Sequence, residues 1–197
     1  MYFISVAPCE DATASDSVGD DAALVQAAQE RRAAFGLLYN RYVERIYAYL
    51  RARTGNAEDA ADLTQQVFLH ALGALPRYRA GQAPFAAWLF RIARNAAINY
   101  HRQRPTTVAW DLLPEALQPL AEGDLASEVM RQERIGPLRD LFAALDPSAR
   151  ELLVLRFTAG LTVPEIAAVI GKSQGATKMR LTRTLRALKE KYHDPSS

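Results

Sequence analysis

The stretch TVPEIAAVIGKSQGATKMRLTRTLRALKEKYH, residues 162–193, decides the fold because it contains a complete helix-turn-helix pattern. A capping box, Thr162 with Glu165 three residues later, predicts a short apolar helix that ends at Gly171. A longer basic helix is predicted to begin at Ser173 and to run to about residue 192. A short supporting helix, a glycine turn and a longer helix are together typical of proteins that lay one helix in the major groove of duplex DNA.

The longer helix separates an apolar stripe from a basic face. Thr177, Leu181, Leu185 and Leu188 recur at three- and four-residue steps, so we expect them to be buried. On the other face, arginine can read guanine edges and flanking cations can hold phosphates. The candidate residues for duplex contact are Lys178, Met179, Arg180, Thr182, Arg183 and Arg186. The alternative is an ordinary amphipathic surface helix, which the seven basic residues against one acidic residue in 172–191 disfavour.

The rest of the chain also has helical periodicity. Asp146 followed by Pro147 predicts a helix start, and that helix is expected to end at Gly160. Another helix is expected over residues 131–144. In the first half of the chain, helical periodicity begins at about Asp20.

Two breaks divide that first half into three long helices. Gly55 ends one helix, and Asn56 is placed to cap the next, which stops before Pro76. A third begins at Phe85 and ends near Arg104. No segment shows strand alternation, so the predicted fold class is all-α, with two small helical domains joined by a flexible linker.

Charge segregation marks the same domain boundaries. Residues 31–104 carry twelve Arg against four acidic residues, whereas residues 105–130 carry five acidic residues, no basic ones and three prolines. Basic blocks on helices indicate contact with a polyanion, although solvated helix faces would look the same. The predicted division is a disordered acidic tail over 1–19, a first domain over 20–104, an acidic linker over 105–130, a second domain over 131–192 and a tail over 193–197.

The third long helix carries a polar stripe suited to single-stranded nucleic acid. Asn95 and Asn99 lie one turn apart on it, and aromatic, amide and guanidinium groups together can stack on unpaired bases and bind their edges. The loop before the helix adds further basic and aromatic groups. The alternative for Trp88 is a place in the core, with the arginines simply solvated. The candidate residues are Arg77, Tyr78, Arg79, Trp88, Arg91, Asn95, Asn99 and Arg102.

The second long helix carries an acid and amide face with an apolar edge. Asp62, Gln65 and Gln66 lie beside Phe68, and such a face can dock a basic helical partner. The alternative is a face that is merely solvated.

Several functional classes are disfavoured by composition. No apolar run approaches about 18 residues, so no membrane span is expected, and the amino-terminal residues have no basic flank that would indicate a signal peptide. Cys9 is the only cysteine, which excludes an intrachain disulfide and favours a cytoplasmic location. His70, His101 and His193 lack metal-ligand spacing. We therefore expect no catalytic residues, no metal and no cofactor.

Four strings carry a family resemblance. They are DLTQQVFLHA (62–71), FAAWLFRIARNAAINYHR (85–102), LDPSARELLVLRF (145–157) and EIAAVIG (165–171). On these strings, residues 20–104 resemble region 2 of the sigma-70 superfamily and residues 131–192 resemble its region 4. Because no further domain fits between the two blocks, the chain resembles the extracytoplasmic-function (ECF) group of RNA polymerase sigma factors.

The resemblance implies a factor that binds core RNA polymerase and directs promoter-specific initiation. Asp62, Gln65, Gln66 and Phe68 match the surface that docks on the clamp helices of the polymerase large subunit. The other partners it implies are the polymerase flap, promoter DNA and an anti-sigma factor. The acidic linker matches the segment that passes near the RNA exit path.

The resemblance also assigns the DNA-contacting positions. Asn95 and Asn99, with the Arg77–Gly81 loop, match the part that captures the non-template strand of the minus-ten element, and Lys178, Met179, Thr182 and Arg183 match positions that contact the minus-thirty-five element. The chain departs from the family pattern in a loop about one residue longer after Tyr78, and in Asn99 where many relatives have Asp. Met179 and Thr182 are weak base readers. These departures affect the promoter sequence rather than the class.

Two other functions compete with this one. A stand-alone helix-turn-helix regulator would use residues 1–104 for ligand sensing or dimerisation, and the sequence gives no clear signal for a pocket or a dimer surface. An enzyme is disfavoured because the glycines fall at helix ends and form no phosphate-binding loop.

Overall fold

The fold is a set of helices in two domains. The computed structural model describes residues 14–103 and 141–193, and no strand occurs in these two ranges. The first domain contains α1 (Ala14–Glu30), α2 (Phe35–Thr54), α3 (Ala57–Ala74) and α4 (Phe85–Gln103). The second contains α5 (Pro147–Leu153), α6 (Val163–Ile170) and α7 (Gln174–His193), preceded by helical residues 141–143.

Local hydrogen bonds account for most of the helix ends, as predicted. The Asn56 side chain accepts from two backbone N–H groups at the start of α3, and Asp146 does the same for α5. Thr162 and Glu165 form the full capping box of α6. Gly55 and Gly171 end their helices with φ values of 70° and 67°, in the left-handed region that favours glycine.

Two helices differ from their predicted extents. Helix α1 begins at Ala14, six residues before the predicted start at Asp20, because Ala14 and Val18 alone are too few apolar residues to show a helical period in this stretch. Helix α5 does not run on regularly towards Gly160: residues Val154–Thr158 form a π-helical turn, in which the N–H of Ala159 reaches the carbonyl of Val154 at 2.9 Å.

Some predictions fall outside the described residues. The linker over 105–130, most of the helix predicted over 131–144, and all but the first residue of the tail over 193–197 lie there. Of the predicted tail over 1–19, residues 14–19 belong to α1.

The hydrophobic core is continuous across both domains. Helix α4 packs against α2 and α3 within its own domain and against α6 of the second domain. Phe90 on α4, Leu152 on α5 and Ile166 on α6 are all at most 1% exposed, and they belong to one cluster of buried residues. The two domains predicted from the sequence therefore lie directly against each other.

Among the described helices, none is both long enough and apolar enough to cross a bilayer. The same residues contain no group of three or more acidic, histidine or cysteine side chains arranged to hold a metal ion.

Candidate nucleic-acid interface

Helix α7 presents one broad polar face. Thr177 and Leu181 are 1% and 5% exposed and fix the helix on its supports, while Leu185 and Leu188 are partly buried, as their spacing predicts. Thr184 is also buried, which the predicted stripe did not include. All six candidate residues on the opposite face are exposed: Lys178, Met179, Arg180, Thr182, Arg183 and Arg186.

Two of these cations have acidic neighbours. Arg180 Nη2 donates to Asp146 Oδ1 at 2.8 Å, and Arg186 Nε donates to Glu190 Oε1 at the same distance. Desolvation works against ionisation of Asp146. The backbone N–H groups of Ala149 and Ser148, together with Arg180, outweigh it and hold the pKa of that carboxyl below its usual value. Because both pairs are exposed, they orient the arginines and contribute little to stability.

The loop before α4 is held from inside by aromatic packing. The Tyr78 ring lies 5.1 Å from Trp88 and 5.7 Å from Phe85, and the Tyr78 hydroxyl donates to the carbonyl of Ala83 at 2.8 Å. Tyr78 is 9% exposed, and burial raises the pKa of its phenol. Tyr78 was predicted, with Arg77 and Arg79, to help hold an extruded base; in the free chain its ring is buried and supports the loop from inside. Trp88 is half-buried against the core, which fits the alternative stated for it.

A side chain from α1 anchors the same loop. Gln29 Nε2 donates to the carbonyls of Leu75 and Tyr78 at 2.9 and 3.0 Å. Arg77 and Arg79 stay exposed on either side of the buried Tyr78. The sequence offered no signal for Gln29, because its partners are backbone atoms almost 50 residues away.

Helix α4 exposes a narrow polar stripe together with Ile98, and most of its other residues are buried or half-buried. Its exposed polar residues include the predicted stripe of Arg91, Asn95, Asn99 and Arg102. On the buried side, Phe90, Ala93 and Ala97 have no measurable exposure. The stripe is therefore held on a helix that packing fixes from several sides.

The acid and amide face of α3 is present, with one correction. Asp62, Gln65 and Gln66 are exposed, but Phe68 is 4% exposed because it packs against Phe35 and Tyr39, with ring centroids 6.3 and 4.7 Å away. Phe68 is therefore a core residue and does not form the apolar edge of that face.

Leu69 takes the place that was predicted for Phe68. It is 70% exposed and lies seven residues after Asp62, close to two helical turns, and so on the same face. The exposed leucine could have been found from the sequence by asking which apolar residue falls two turns after Asp62.

The α3 face and the α4 stripe meet in one groove. An open cleft of about 520 Å³ runs between the two helices, and its walls include Asp62 and Gln66 from α3 and Asn95 and Asn99 from α4. At one end, Tyr100 donates a hydrogen bond to Asp59 at 2.8 Å, which ties α4 to α3. The sequence presented these as two unrelated surfaces, whereas the fold makes them neighbours.

The folded chain is thus an all-helical, two-domain protein with a helix-turn-helix in its second domain. The family model "Sigma-70 region 2" matches residues 38–106, and "Sigma-70, region 4" matches residues 141–190. The chain belongs to the sigma-70 family and, within it, to the ECF RNA polymerase sigma factors.

Individual relatives support the same family assignment. The chain is 34% identical to the ECF RNA polymerase sigma factor BldN of Streptomyces coelicolor, over 84% of this chain and 63% of BldN. It is 32% identical to the ECF RNA polymerase sigma factor SigD of Mycobacterium tuberculosis, over 74% of this chain and 70% of SigD. It is similar to the solved structure of CnrH in complex with the cytosolic domain of CnrY, with a TM-score of 0.62 and 28% identity over 88% of this chain and 97% of CnrH.

Proposed function

We propose that this chain binds core RNA polymerase and directs it to promoters. In this proposal the α3 face docks on the clamp helices of the polymerase large subunit and the second domain contacts the flap. The α4 stripe and its loop capture the non-template strand of the minus-ten element, while α7 lies in the major groove of the minus-thirty-five element. Bond formation belongs to the polymerase.

One observation carries the proposal: the chain presents two separate exposed polar helix faces, each backed by a buried core. On α7, Arg183 and its neighbours face solvent while Thr177 and Leu181 are buried, which is the arrangement a major-groove helix needs. A single amphipathic surface helix would not account for the second face, on α4.

Strand capture is supported by the geometry around α4. Asn95 and Asn99 offer amide donors and acceptors in the groove, and Arg77 and Arg79 flank its loop with positive charge. Opening a duplex costs free energy, and holding an extruded base offsets part of it. Since Gln29 and Tyr78 fix the loop before DNA arrives, little ordering remains to be done on binding.

Docking is supported by the chemistry of α3. Asp62, Gln65 and Gln66 can pair with cations and amides of a partner helix, and Leu69 supplies an exposed apolar anchor on the same face. A further partner is proposed from the family resemblance, an anti-sigma factor. The solved complex of CnrH with the cytosolic domain of CnrY supports binding of a second protein.

Co-purification with core polymerase tests the proposal. Asp62→Arg reverses the charge on the docking face, so we expect co-purification and promoter-dependent transcription with core enzyme to be lost. Glu30→Arg makes the same charge change at an exposed position of α1 and should leave both unchanged. Circular dichroism and thermal unfolding should match the unaltered chain for both variants.

The opposite results would support a different class. Retained binding by Asp62→Arg would remove the docking assignment. If the unaltered chain bound duplex promoter DNA tightly and specifically without polymerase, it would act as a stand-alone helix-turn-helix regulator.

A further inference from the structure

Arg180 lies at one edge of the exposed face of α7. It is three residues after Thr177 and four before Thr184, both of which are buried, so its side chain starts beside the packed side of the helix. Lys178 has the corresponding place at the other edge, three residues before the buried Leu181. A helix with its side chains is about 10–12 Å wide and nearly fills a major groove of about 12 Å, so residues at its two edges approach the phosphates on the groove walls.

The Arg180 side chain is held by an acid at the start of another helix. Its Nη2 donates to Asp146 Oδ1 at 2.8 Å. Because Asp146 is the N-cap of α5, the same oxygen also accepts from the backbone N–H groups of Ser148 and Ala149, at 3.0 and 3.1 Å. The carboxylate that holds Arg180 is therefore itself fixed by the backbone of a supporting helix.

The second arginine pair on α7 is built differently. Arg186 and Glu190 lie one turn apart on the same helix, and their side chains are 79% and 64% exposed. Such a pair joins two flexible side chains and fixes neither of them relative to another helix. Of the two pairs, the one between Arg180 and Asp146 alone connects α7 to the helix that supports it.

The pair between Asp146 and Arg180 provides order more than stability. Both side chains are about half exposed, so their attraction contributes little to folding. The carboxylate also opposes the approach of a polyanion, because it adds negative charge at the edge of a basic face. A guanidinium, however, has five N–H donors in a rigid fork, and one bond to Asp146 leaves the others in a defined orientation. An arginine that is oriented before binding loses less conformational entropy when it contacts a phosphate.

We propose that Asp146 is a positioning residue for the contact between α7 and the minus-thirty-five element. It fixes the Arg180 guanidinium at the edge of α7, where the arginine binds a phosphate on one wall of the groove and sets the register of the helix along the duplex. Phosphate contacts fix register and orientation on DNA, whereas base contacts specify sequence. The inference rests on the proposed function, because it needs α7 to lie in the groove.

Binding of the polymerase complex to promoter DNA tests the phosphate contact. The complex is assembled from core polymerase and the full chain, and its dissociation constant is measured at several salt concentrations. Two promoter fragments are compared, one with an intact and one with a scrambled minus-thirty-five element. Arg180→Ala should weaken binding to both fragments and reduce the slope of log K against log salt by about 1, because one phosphate contact is lost.

Asp146→Ser should instead lower the preference for the intact element. Serine is as good an N-cap as aspartate, so α5 keeps its start while the carboxylate that holds Arg180 is removed. We expect the ratio of the two dissociation constants to change about three- to tenfold towards equality. The scrambled fragment should be bound at least as tightly as before, because a negative charge has been removed.

A double variant and a matched control make the test specific to the pair. Arg180→Lys keeps the charge without the planar fork, so it should lower the preference as Asp146→Ser does, and combining the two changes should lower it no further. Glu190→Gln removes the same charge beside Arg186 on α7 and should leave the preference unchanged.

The outcomes separate this inference from the proposed function. An unchanged preference in Asp146→Ser, additive losses in the double variant, or an equal loss in Glu190→Gln would overturn the positioning role. If circular dichroism shows that Asp146→Ser is misfolded, Arg180→Lys decides instead, and an unchanged preference there has the same meaning. An unaltered complex with no preference for the intact element would reject the placement of α7 in the proposed function, and the role of Asp146 with it.

Discussion

Helices α4 and α7 carry similar polar side chains but are held very differently. Helix α4 is enclosed by α2, α3 and α6 and shows solvent a narrow stripe. Within the described ranges, the main contacts of α7 are with α5 and α6, and α7 leaves a broad face exposed. A helix fixed on several sides can hold one unpaired base in a defined place. A helix with one free face can instead follow a groove. The difference indicates that each proposed DNA contact depends on how its helix is packed.

The largest effect is expected from a core substitution in α4. Phe90 is fully buried, with its ring 5.7 Å from Tyr49, and it belongs to the core shared by both domains. We expect Phe90→Ala to lower the free energy of unfolding by about 3–5 kcal/mol, measured by urea denaturation. Leu69→Ala, at an exposed position of α3, should change it by less than about 0.5 kcal/mol. An equal loss of unfolding free energy in the two variants would show that α4 is not held more firmly by the core than an exposed helix position.

A substitution on the exposed face of α7 is expected to have a smaller effect, and to change DNA binding rather than stability. Arg183→Ala should weaken recognition of the minus-thirty-five element by about 1–3 kcal/mol, because one base-edge contact is lost. The measurement is binding of the polymerase complex to promoter DNA with and without that element. Lys189→Ala, on the same helix outside the candidate set, should have much less effect. Unchanged transcription in Arg183→Ala would mean that α7 is placed wrongly on the DNA.

The sequence predicts the local features of this molecule well and its long-range contacts poorly. The caps at Asn56, Asp146 and Thr162 and the glycine ends were predicted, because each depends on residues within three or four positions. The burial of Phe68 was not, because it depends on Phe35 and Tyr39 from another helix.

Sequence periodicity could not predict the contact between the two domains. Glu151 precedes a run of leucines and looks like a solvent-facing residue of an amphipathic helix. Its partners Tyr49 and Arg53 are about 100 residues earlier in the chain. The four-residue spacing of Arg45, Tyr49 and Arg53 was visible, but without a partner surface it could not be told from a solvated helix face.

A third prediction concerns the stripe on α4, where the expected effect is about the free energy of one hydrogen bond. Asn95→Ala should slow open-complex formation on duplex promoter DNA, with a cost of about 1 kcal/mol. On a pre-melted template the same variant should be less affected, because the strand is already separated. Time-resolved open-complex formation on the two templates provides the measurement. An equal effect on both would argue against strand capture by α4.

The smallest effect concerns the last turn of α4, where His101 links that helix to α2. His101 Nε2 lies 2.9 Å from the carbonyl of Arg53, which requires a proton on that nitrogen. Desolvation, and next the guanidinium of Arg53, lower the pKa of His101, although the hydrogen bond and the charge of Glu151 oppose this.

Because the folded pKa of His101 is lower than the unfolded value of about 6.5, the unfolded chain binds more protons between the two values. The free energy of unfolding should therefore fall as the pH drops from about 6.5 towards the folded pKa, and no further loss from this group should occur below it. His101→Gln keeps an amide donor and cannot titrate, so it should lack this slope, whereas His70→Gln, at an exposed position, should retain it. Urea denaturation at a series of pH values measures the difference. An identical slope in His101→Gln and the unaltered chain would show that α4 is not tied to α2 through a neutral imidazole, and would weaken the contrast between a helix held on several sides and one that leaves a broad face free.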